Sequence, residues 1–517
     1  MWKKQKEALS FLKKRSRLGK GNCLFMEMGT GKTRVAIHWL EWLIRKKGAR
    51  LILVAAPLAV LHVWIDNWFD WADEPIPFID LHDASSGGIK AAKRLARKHN
   101  RPVICLVNYE AAWQIGFKRF KKKRKDEEVW VREKVETSIA DVQWDAVILD
   151  ESTAIKTPGS TVSKFFRKKV APKATHRMVM TGSAYIKRPL DVWAQVTFAT
   201  GNEVFTPTFT PFRSNYAIPH PMIPGAVLGY RNLEDLAWRL SHVAVLLKKS
   251  DVLDLPPATH QTRMIQLSPK SRKLYTTLVE EQYAEIEALE KDWKVYREAK
   301  KQFADLDEEQ LAEVDMPERP QYVTAQHIFT CINKQMQITS GFIYPDRDEE
   351  DPSIDPDPIT IGKEKVDEVI KILEQRDSPT VIVCHYDQEE VMLAEAIRKK
   401  FGFTPKVLNG SVKTSEARHK MIAAASNDLA FIVKSSIGSK GVDMRWADMI
   451  IFFSHNYNTE HYDQMMSRNH RGGQTKPVTY VHLIAKDTID KKVMASLQGD
   501  IRVATDIERS WRSLFAA

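Results

Sequence analysis

The sequence predicts an α/β protein built from two parallel sheets with a helical insertion between them. Two observations carry this. Short, wholly apolar runs recur between polar, helix-like stretches in both halves of the chain, and a long amphipathic pattern followed by an acidic, proline-bearing segment separates the halves. A chain of 517 residues is also too long for one ordinary core.

In the first half the apolar runs are Cys23–Met26, Leu51–Ala55, Val103–Val107, Ala146–Leu149 and Arg177–Met180. Brief runs without polar alternation fit strands covered on both faces, as in a parallel sheet. The second half repeats the pattern at Thr380–Cys384, Lys406–Leu408, Ala430–Val433, Met449–Phe453 and Val478–Ile484. Between the halves, Leu274, Leu278, Tyr283, Ile286, Leu289, Trp293 and Tyr296 recur at helical spacing, and that stripe reads as packing. Asp346–Pro358 then carries seven acidic residues and three prolines, a composition that cannot build a core and reads as a boundary loop. The expected division is a first lobe over residues 1–250, partly irregular from 200, an insertion and linker over 251–358, and a second lobe over 359–517.

Hydrophobic residues at 43% and charged residues at 28% match a soluble globular chain, and no apolar run is long enough to span a bilayer. Met1-Trp2-Lys3-Lys4-Gln5 has no apolar signal core, so the expected location is the compartment of synthesis, without a membrane. The four cysteines, Cys23, Cys105, Cys331 and Cys384, have neither zinc spacing nor disulfide density and read as reduced thiols. The formal net charge of +12 favours a polyanionic partner.

The first chemical motif is Met26-Glu27-Met28-Gly29-Thr30-Gly31-Lys32-Thr33, which follows an apolar run and opens a helix-like stretch. Gly29 and Gly31 let the backbone around Thr30 curve so that amides face phosphates. Lys32 supplies a charge to the β and γ phosphates of ATP, and Thr33 offers a hydroxyl to Mg2+. Met26 stands where the strict pattern has glycine. The second motif is Asp150-Glu151 at the end of an apolar run, where a doubly wound sheet binds its ligand. By itself such a pair is also compatible with a solvated turn. Beside the phosphate loop it places Asp150 toward Mg2+ and Glu151 toward the attacking water.

In order and wording these motifs resemble helicase superfamily 2, and several look like the Swi/Snf family of DNA translocases. Met28–Thr33 matches the family's phosphate loop, and Pro57-Leu58 through Trp64 resembles its next motif. Asp150–Lys156 resembles the Asp-Glu-x-His box with Thr153 in place of histidine, and Thr181-Gly182-Ser183-Ala184 is similar to Thr-Gly-Thr-Pro with Ala184 for proline. Lys248–Val252 with Leu255-Pro256-Pro257 looks like the junction typical of the Swi/Snf branch. In the second half, Val383-Cys384-His385-Tyr386, Leu408-Asn409-Gly410 with Glu416-Ala417-Arg418, Ser435–Asp443 and Gln464–Gln474 resemble the remaining motifs.

The resemblance implies RecA-like lobes, a compact bacterial or viral type of enzyme, and an adenine-reading role for Gln5. It also implies DNA-backbone contacts at Pro57, Asn108, Tyr109, Thr181, His385 and Ser435. Gln464, Arg468 and Arg471 lie four and three apart, so one helical face presents all three, and the guanidinium groups would stabilise charge on the transferring phosphoryl group.

Lys118–Lys125 holds seven basic residues in eight positions. Through Lys121, Lys122 and Lys123 it reads as a loop that neutralises DNA phosphates, with a solvated charge run and a nuclear import signal as the other readings. No base-reading module is visible, so recognition is expected to be independent of DNA sequence. The leading expectation is an ATP-driven translocase on duplex DNA. A strand-separating helicase and a nucleotide-gated DNA clamp are the alternatives, and separate protein partners are expected for a motor without accessory domains. The implied location is cytoplasmic or nucleoid-associated in bacteria, nuclear in a eukaryote.

Overall fold

A computed structural model describes residues 1–499, apart from 116, 125–126, 135–136, 183–187, 220–226, 282–297, 299–324, 346–356, 413–414 and 439–442. The chain first lays down β1 (Asn22–Met26), β2 (Leu51–Ala56), β3 (Phe78–Asp80) and β4 (Val103–Asn108). The hairpin β5 (Phe117–Arg124) and β6 (Glu127–Lys134) follows, then β7 (Trp144–Asp150) and β8 (Ala174–Thr181), the short pair β9 (Ala217–Pro219) and β10 (Val227–Tyr230), and β11 (Ala244–Leu247). The rest of the chain supplies β12 (Ala258–Ile265), β13 (Phe342–Ile343), β14 (Ile359–Thr360), β15 (Thr380–Cys384), β16 (Lys406–Leu408), β17 (Ala430–Lys434), β18 (Met449–Phe452) and β19 (Val478–Ala485).

Two parallel sheets result, in the order β11-β1-β8-β7-β2-β4-β3 and β12-β19-β18-β15-β17-β16. All ten apolar runs become strands of these sheets. Their lack of polar alternation has the expected cause, because each sheet is covered on both faces. In β1, Cys23 and Phe25 join one core while Leu24 and Met26 join the other. In β15, Val381 and Val383 face one core, Ile382 and Cys384 the opposite one. Cys23, Cys105 and Cys384 are buried thiols, and burial pushes the Cys23 and Cys105 thiols up to about 12.

Several elements differ from the sequence reading. β12, which falls inside the expected 251–358 insertion, is an edge strand of the second sheet, in parallel register with β19 from Ala258↔Val478 to Ile265↔Ala485. Most of its residues are exposed. An edge strand needs no apolar run, so the pattern that reveals the central strands is silent here. The helix Ala325–Ser340 also belongs with the second lobe, contributing Met336 to its core. Residues 269–281 are helical and carry Leu274 and Leu278, while the rest of the predicted stripe and most of the acidic linker lie outside the described residues.

The basic run is likewise no loop. Phe117–Arg124 pairs antiparallel with Glu127–Lys134, and the register sets Lys118, Lys123 and Arg124 opposite Glu133, Glu128 and Glu127.

The second lobe carries a chain of three imidazoles, two of them buried and His260 on the exposed edge strand β12. His482 on β19 is fully buried, with Nε2 3.1 Å from His260 Nδ1 and Nδ1 3.0 Å from His455 Nε2. Burial first, then the neighbouring histidines, lowers His482 to about 2, and burial with Lys365 lowers His455 to about 3. Both values lie below the unfolded value near 6.5, so the unfolded chain binds more protons in this window. The stabilisation is complete above about pH 6.5 and falls as the pH drops toward about 3. The urea midpoint of the second lobe should therefore fall between pH 7 and pH 5, and His482→Phe should flatten that dependence. An equally steep loss in the variant would exclude His482 as its source.

Candidate nucleotide site between the lobes

The order β1-β8-β7 sets three strand ends side by side. The phosphate-loop motif leaves β1, Thr181-Gly182 ends β8, and Asp150-Glu151 ends β7. Gly29 and Gly31 both adopt φ +84°, the left-handed region that side chains disfavour, and Gly31 caps the helix Lys32–Lys47. The loop is held from below. Gln5 is buried, and its side-chain amide donates to the Thr30 carbonyl at 2.9 Å, while the Thr30 hydroxyl donates to the Glu27 carbonyl at 2.6 Å. Gln5 thus anchors the phosphate loop itself. Thr33 is half-buried in the first turn of the helix.

The two carboxylates are held differently. Asp150 is buried, its Oδ2 accepting the Trp64 indole N–H at 2.9 Å and its backbone carbonyl accepting the Tyr109 hydroxyl at 2.8 Å. Burial, then the charge of Glu151, pushes Asp150 up to about 6, against the pull of Lys32 and of its own hydrogen bonds. Glu151 sits at φ 49°, ψ 56°, left-handed for a residue with a side chain, and such strain persists only where the surroundings hold it. Here its Oε2 accepts from the Thr181 hydroxyl at 3.2 Å and the Gly182 amide at 3.1 Å, and its Oε1 lies 3.7 Å from Lys32 Nζ. A Cβ at Gly182 would sit 2.4 Å from Lys32 Nζ, so only glycine leaves the lysine in place.

Two neighbouring carboxylates faced by one lysine leave an excess of negative charge. That excess, with the Thr33 hydroxyl on the same loop, fits a divalent cation.

The second lobe completes the cleft with the helix Thr459–Asn469, capped by the Asn458 side chain. Gln464 is buried and donates to Glu460 Oε1 at 3.2 Å, and the Ser467 hydroxyl lies 3.2 Å from Met28 Sδ of the phosphate loop. Arg468 is lowered to about 10 by burial and then by Arg471, with Glu151 and Asp443 opposing. Arg471 reaches the phosphate loop, its Cβ 3.4 Å from where a Cβ on Gly29 would stand. Lys249 ties the lobes from the side, its backbone amide donating to Glu27 at 2.6 Å and its ammonium to the His470 carbonyl at 2.8 Å. Gln5, Gly29, Thr30, Gly31, Lys32, Thr33, Asp150, Glu151, Gln464, Arg468 and Arg471 thus converge on one cleft.

The expected DNA contacts divide. Pro57, Asn108, Tyr109, Thr181, His385 and Ser435 all lie at the carboxyl ends of strands. Tyr109 and Thr181 are buried and spend their hydroxyls on Asp150 and Glu151, and Asn108 caps the next helical turn by accepting from the Ala111 amide. Thr181 supports the Glu151 carboxylate, Tyr109 the Asp150 backbone, Asn108 a helix start, and all three are buried. Pro57, His385 and Ser435 remain half-exposed. His385 and Ser435 line a cavity of about 20 Å3 with Ser454, His455 and Asn456. Ser183 and Ala184 lie outside the described residues.

Trp64 falls within a sequence motif that gives it no task. Its indole is a donor to a buried carboxylate, a bond worth about 1.5–3 kcal/mol. Trp64→Phe should keep the core packed and the nucleotide bound while lowering ATP turnover by about tenfold or more. Turnover equal to the parent chain would show that Asp150 does not depend on this donor.

Two family models match the chain, the SNF2-related domain over residues 4–316 and the helicase conserved C-terminal domain over 364–473. Among similar proteins, the putative protein p41 of Acyrthosiphon pisum secondary endosymbiont phage 1 is 25% identical across 90% of each chain. The human DNA excision repair protein ERCC-6 is 21% identical over 92% of this chain, and the Zorya protein ZorD of Escherichia coli 23% over 94%. This chain spans only 30% and 42% of those two proteins. The solved Sulfolobus solfataricus SWI2/SNF2 ATPase core in complex with dsDNA is similar at 19% identity over 98% of this chain and 93% of that one, with a TM-score of 0.39. With its SNF2-related match covering more than half its length, the chain belongs to the SNF2-related family, the DNA-dependent ATPases of helicase superfamily 2.

Proposed function

We propose that this ATPase core moves along duplex DNA without separating its strands. The observation that carries the reading is the cleft itself, where the arginine-bearing helix of one lobe lies against the phosphate loop of the other. A site divided between two lobes is complete only when they close, which ties hydrolysis to motion.

In this reading Gly29–Thr33 holds the ATP phosphates with backbone amides and Lys32, and Gln5 steadies the loop beneath them. Thr33 and Asp150 would hold Mg2+, which supplies neutralising charge to the phosphates when bound. Glu151 orients water for in-line attack on the γ-phosphorus and takes up its proton. As the new P–O bond forms, the bond to the β–γ bridging oxygen breaks, giving ADP and phosphate. Arg468 and Arg471 stabilise the charge on the transferring group. The hydrogen bonds from Thr181 and Gly182 to Glu151 give the end of β8 a direct grip on the water-orienting carboxylate.

Electrostatic recognition of the DNA backbone is supported by the net charge of +12 and by the half-exposed strand ends at Pro57, His385 and Ser435. Strand separation calls for an element that breaks base-pair stacking, at about 1.4 kcal/mol per step. Among the described residues no dedicated wedge is evident.

ATP hydrolysis should rise on addition of duplex DNA. Lys32→Ala should weaken nucleotide binding, while Glu151→Gln and Arg471→Ala should retain binding and lose turnover by about 10²-fold or more. ATP should drive displacement of a third strand from a triplex while a forked duplex of equal length stays paired. Efficient opening of the fork would replace translocation with unwinding, and tight DNA binding without turnover would leave a nucleotide-gated clamp. DNA affinity should also fall steeply with salt. Neutralising Lys121, Lys122 and Lys123 together should reduce the salt slope by about 0.9 for each DNA phosphate that these lysines neutralise, and an unchanged slope would remove β5 from the track.

A further inference from the structure

We infer that Glu460 is a positioning residue, a latch across the cleft that aligns the arginine helix with the element carrying Glu151. The inference rests on the ATP-site reading above and adds a residue that no motif in the sequence singles out. Its basis is a set of three contacts on one carboxylate. Glu460 Oε1 accepts from the Thr153 hydroxyl at 2.9 Å and from the Gln464 amide at 3.2 Å, and Oε2 lies 3.6 Å from Lys156 Nζ. Thr153 and Lys156 belong to the first lobe and Gln464 to the second, so both oxygens of Glu460 meet a group across the divide.

The placement of these partners gives the contact its meaning. Thr153 lies in the one-turn helix Ser152–Ile155 that starts from the strained Glu151, and Lys156 closes that turn. A shift of this turn moves Glu151. Glu460 stands in the first turn of the helix Thr459–Asn469, four residues before Gln464 and eight before Arg468, on one face. The far end of the same helix meets the phosphate loop through Ser467, and Arg471 in the turn just beyond the helix meets it too. Roughly 15 Å of helix therefore spans the site, pinned to the phosphate loop at one end and to the Asp150-Glu151 turn at the other. With one pin alone the helix can pivot, and Arg468 loses its fixed direction toward Glu151.

Thr153 makes this arrangement specific to the chain. It stands where the box of the resembling family has histidine, and a threonine hydroxyl extends much less far from the backbone than an imidazole. The carboxylate from the opposite lobe covers the remaining distance. Lys156 adds a charge that only an ionised Glu460 attracts, so the latch forms as the lobes come together and dissolves as they part.

Steady-state kinetics of the full chain with duplex DNA and ATP, together with a double-mutant cycle, test the latch. Glu460→Ala should lower kcat by about 10- to 100-fold, the size of one charge-assisted hydrogen bond, while KM for ATP changes less than about threefold because Glu460 touches no phosphate-binding group. Glu460→Gln keeps acceptors for Thr153 and Gln464 but removes the charge toward Lys156, and its kcat should fall between the two. Thr153→Val should slow turnover similarly, and the Thr153→Val, Glu460→Ala double variant should be no slower than the slower single variant. Unchanged thermal midpoints would accompany these effects. Turnover of Glu460→Ala within twofold of the parent, or multiplying effects in the double variant, would overturn the latch and leave the ATP site standing. Absence of ATP turnover in the parent chain would overturn the site reading and the latch with it.

Discussion

The negative charge gathered at the end of β7 organises the rest of this molecule. Asp150 and Glu151 follow one another out of a buried strand, and desolvation and their mutual repulsion raise Asp150 to about 6. A folded chain keeps such a pair only by surrounding it with donors and a counter-charge. Trp64, Thr181, Gly182 and Lys32 provide them, and Tyr109 fixes the backbone carbonyl of Asp150; these groups come from the end of β8 and the segments after β1, β2 and β4. The sheet order is what brings those segments within reach. Moving β8 or β2 away from β7 would take those supports from the two carboxylates.

The supports also link chemistry to movement. Glu151 is held in a left-handed backbone conformation by contacts from β8, and the one-turn helix that follows it bears Thr153 and Lys156, which meet the other lobe. On the opposite side Lys249 joins Glu27 beneath the phosphate loop to the His470 carbonyl beyond the arginine helix. Burial brings that lysine down to about 8. Contacts between lobes at both ends of the arginine helix mean that a change in the phosphate loop reaches the turn of Glu151 through a rigid element.

Much of the site is legible in the sequence because its chemistry is local. Gly29, Gly31, Lys32 and Thr33 must be near neighbours for one loop to wrap a phosphate, and Asp150 and Glu151 adjoin; the helical face expected for Gln464, Arg468 and Arg471 holds only for the first two, because the helix ends at Asn469 and Arg471 lies in the turn beyond it. The central strands are legible for a related reason, since double burial demands uninterrupted apolar runs. β12 is not, because an exposed edge strand such as Ala-Thr-His-Gln-Thr-Arg-Met-Ile carries no such demand. The basic stretch at Phe117–Arg124 reads as a loop in the sequence because its stabilising partner lies in the next segment, Glu127–Lys134.

By itself the sequence determined the two-sheet class, the family resemblance and the motifs that the fold gathers at the cleft, because each depends on composition or on spacing along a single element. Tertiary structure alone decided what the buried polar groups do. Asn108, Tyr109 and Thr181 look like surface contacts at strand ends, yet they are buried as a helix cap, a donor to the Asp150 backbone carbonyl and a donor to the Glu151 carboxylate. Trp64 stands in a recognisable motif that names no partner for it, and Glu460 stands in none, because their partners are 86 and 307 residues away along the chain. A hydrogen bond depends on where its two atoms stand in space, and sequence separation says nothing of that until the sheets and the lobes have closed around them.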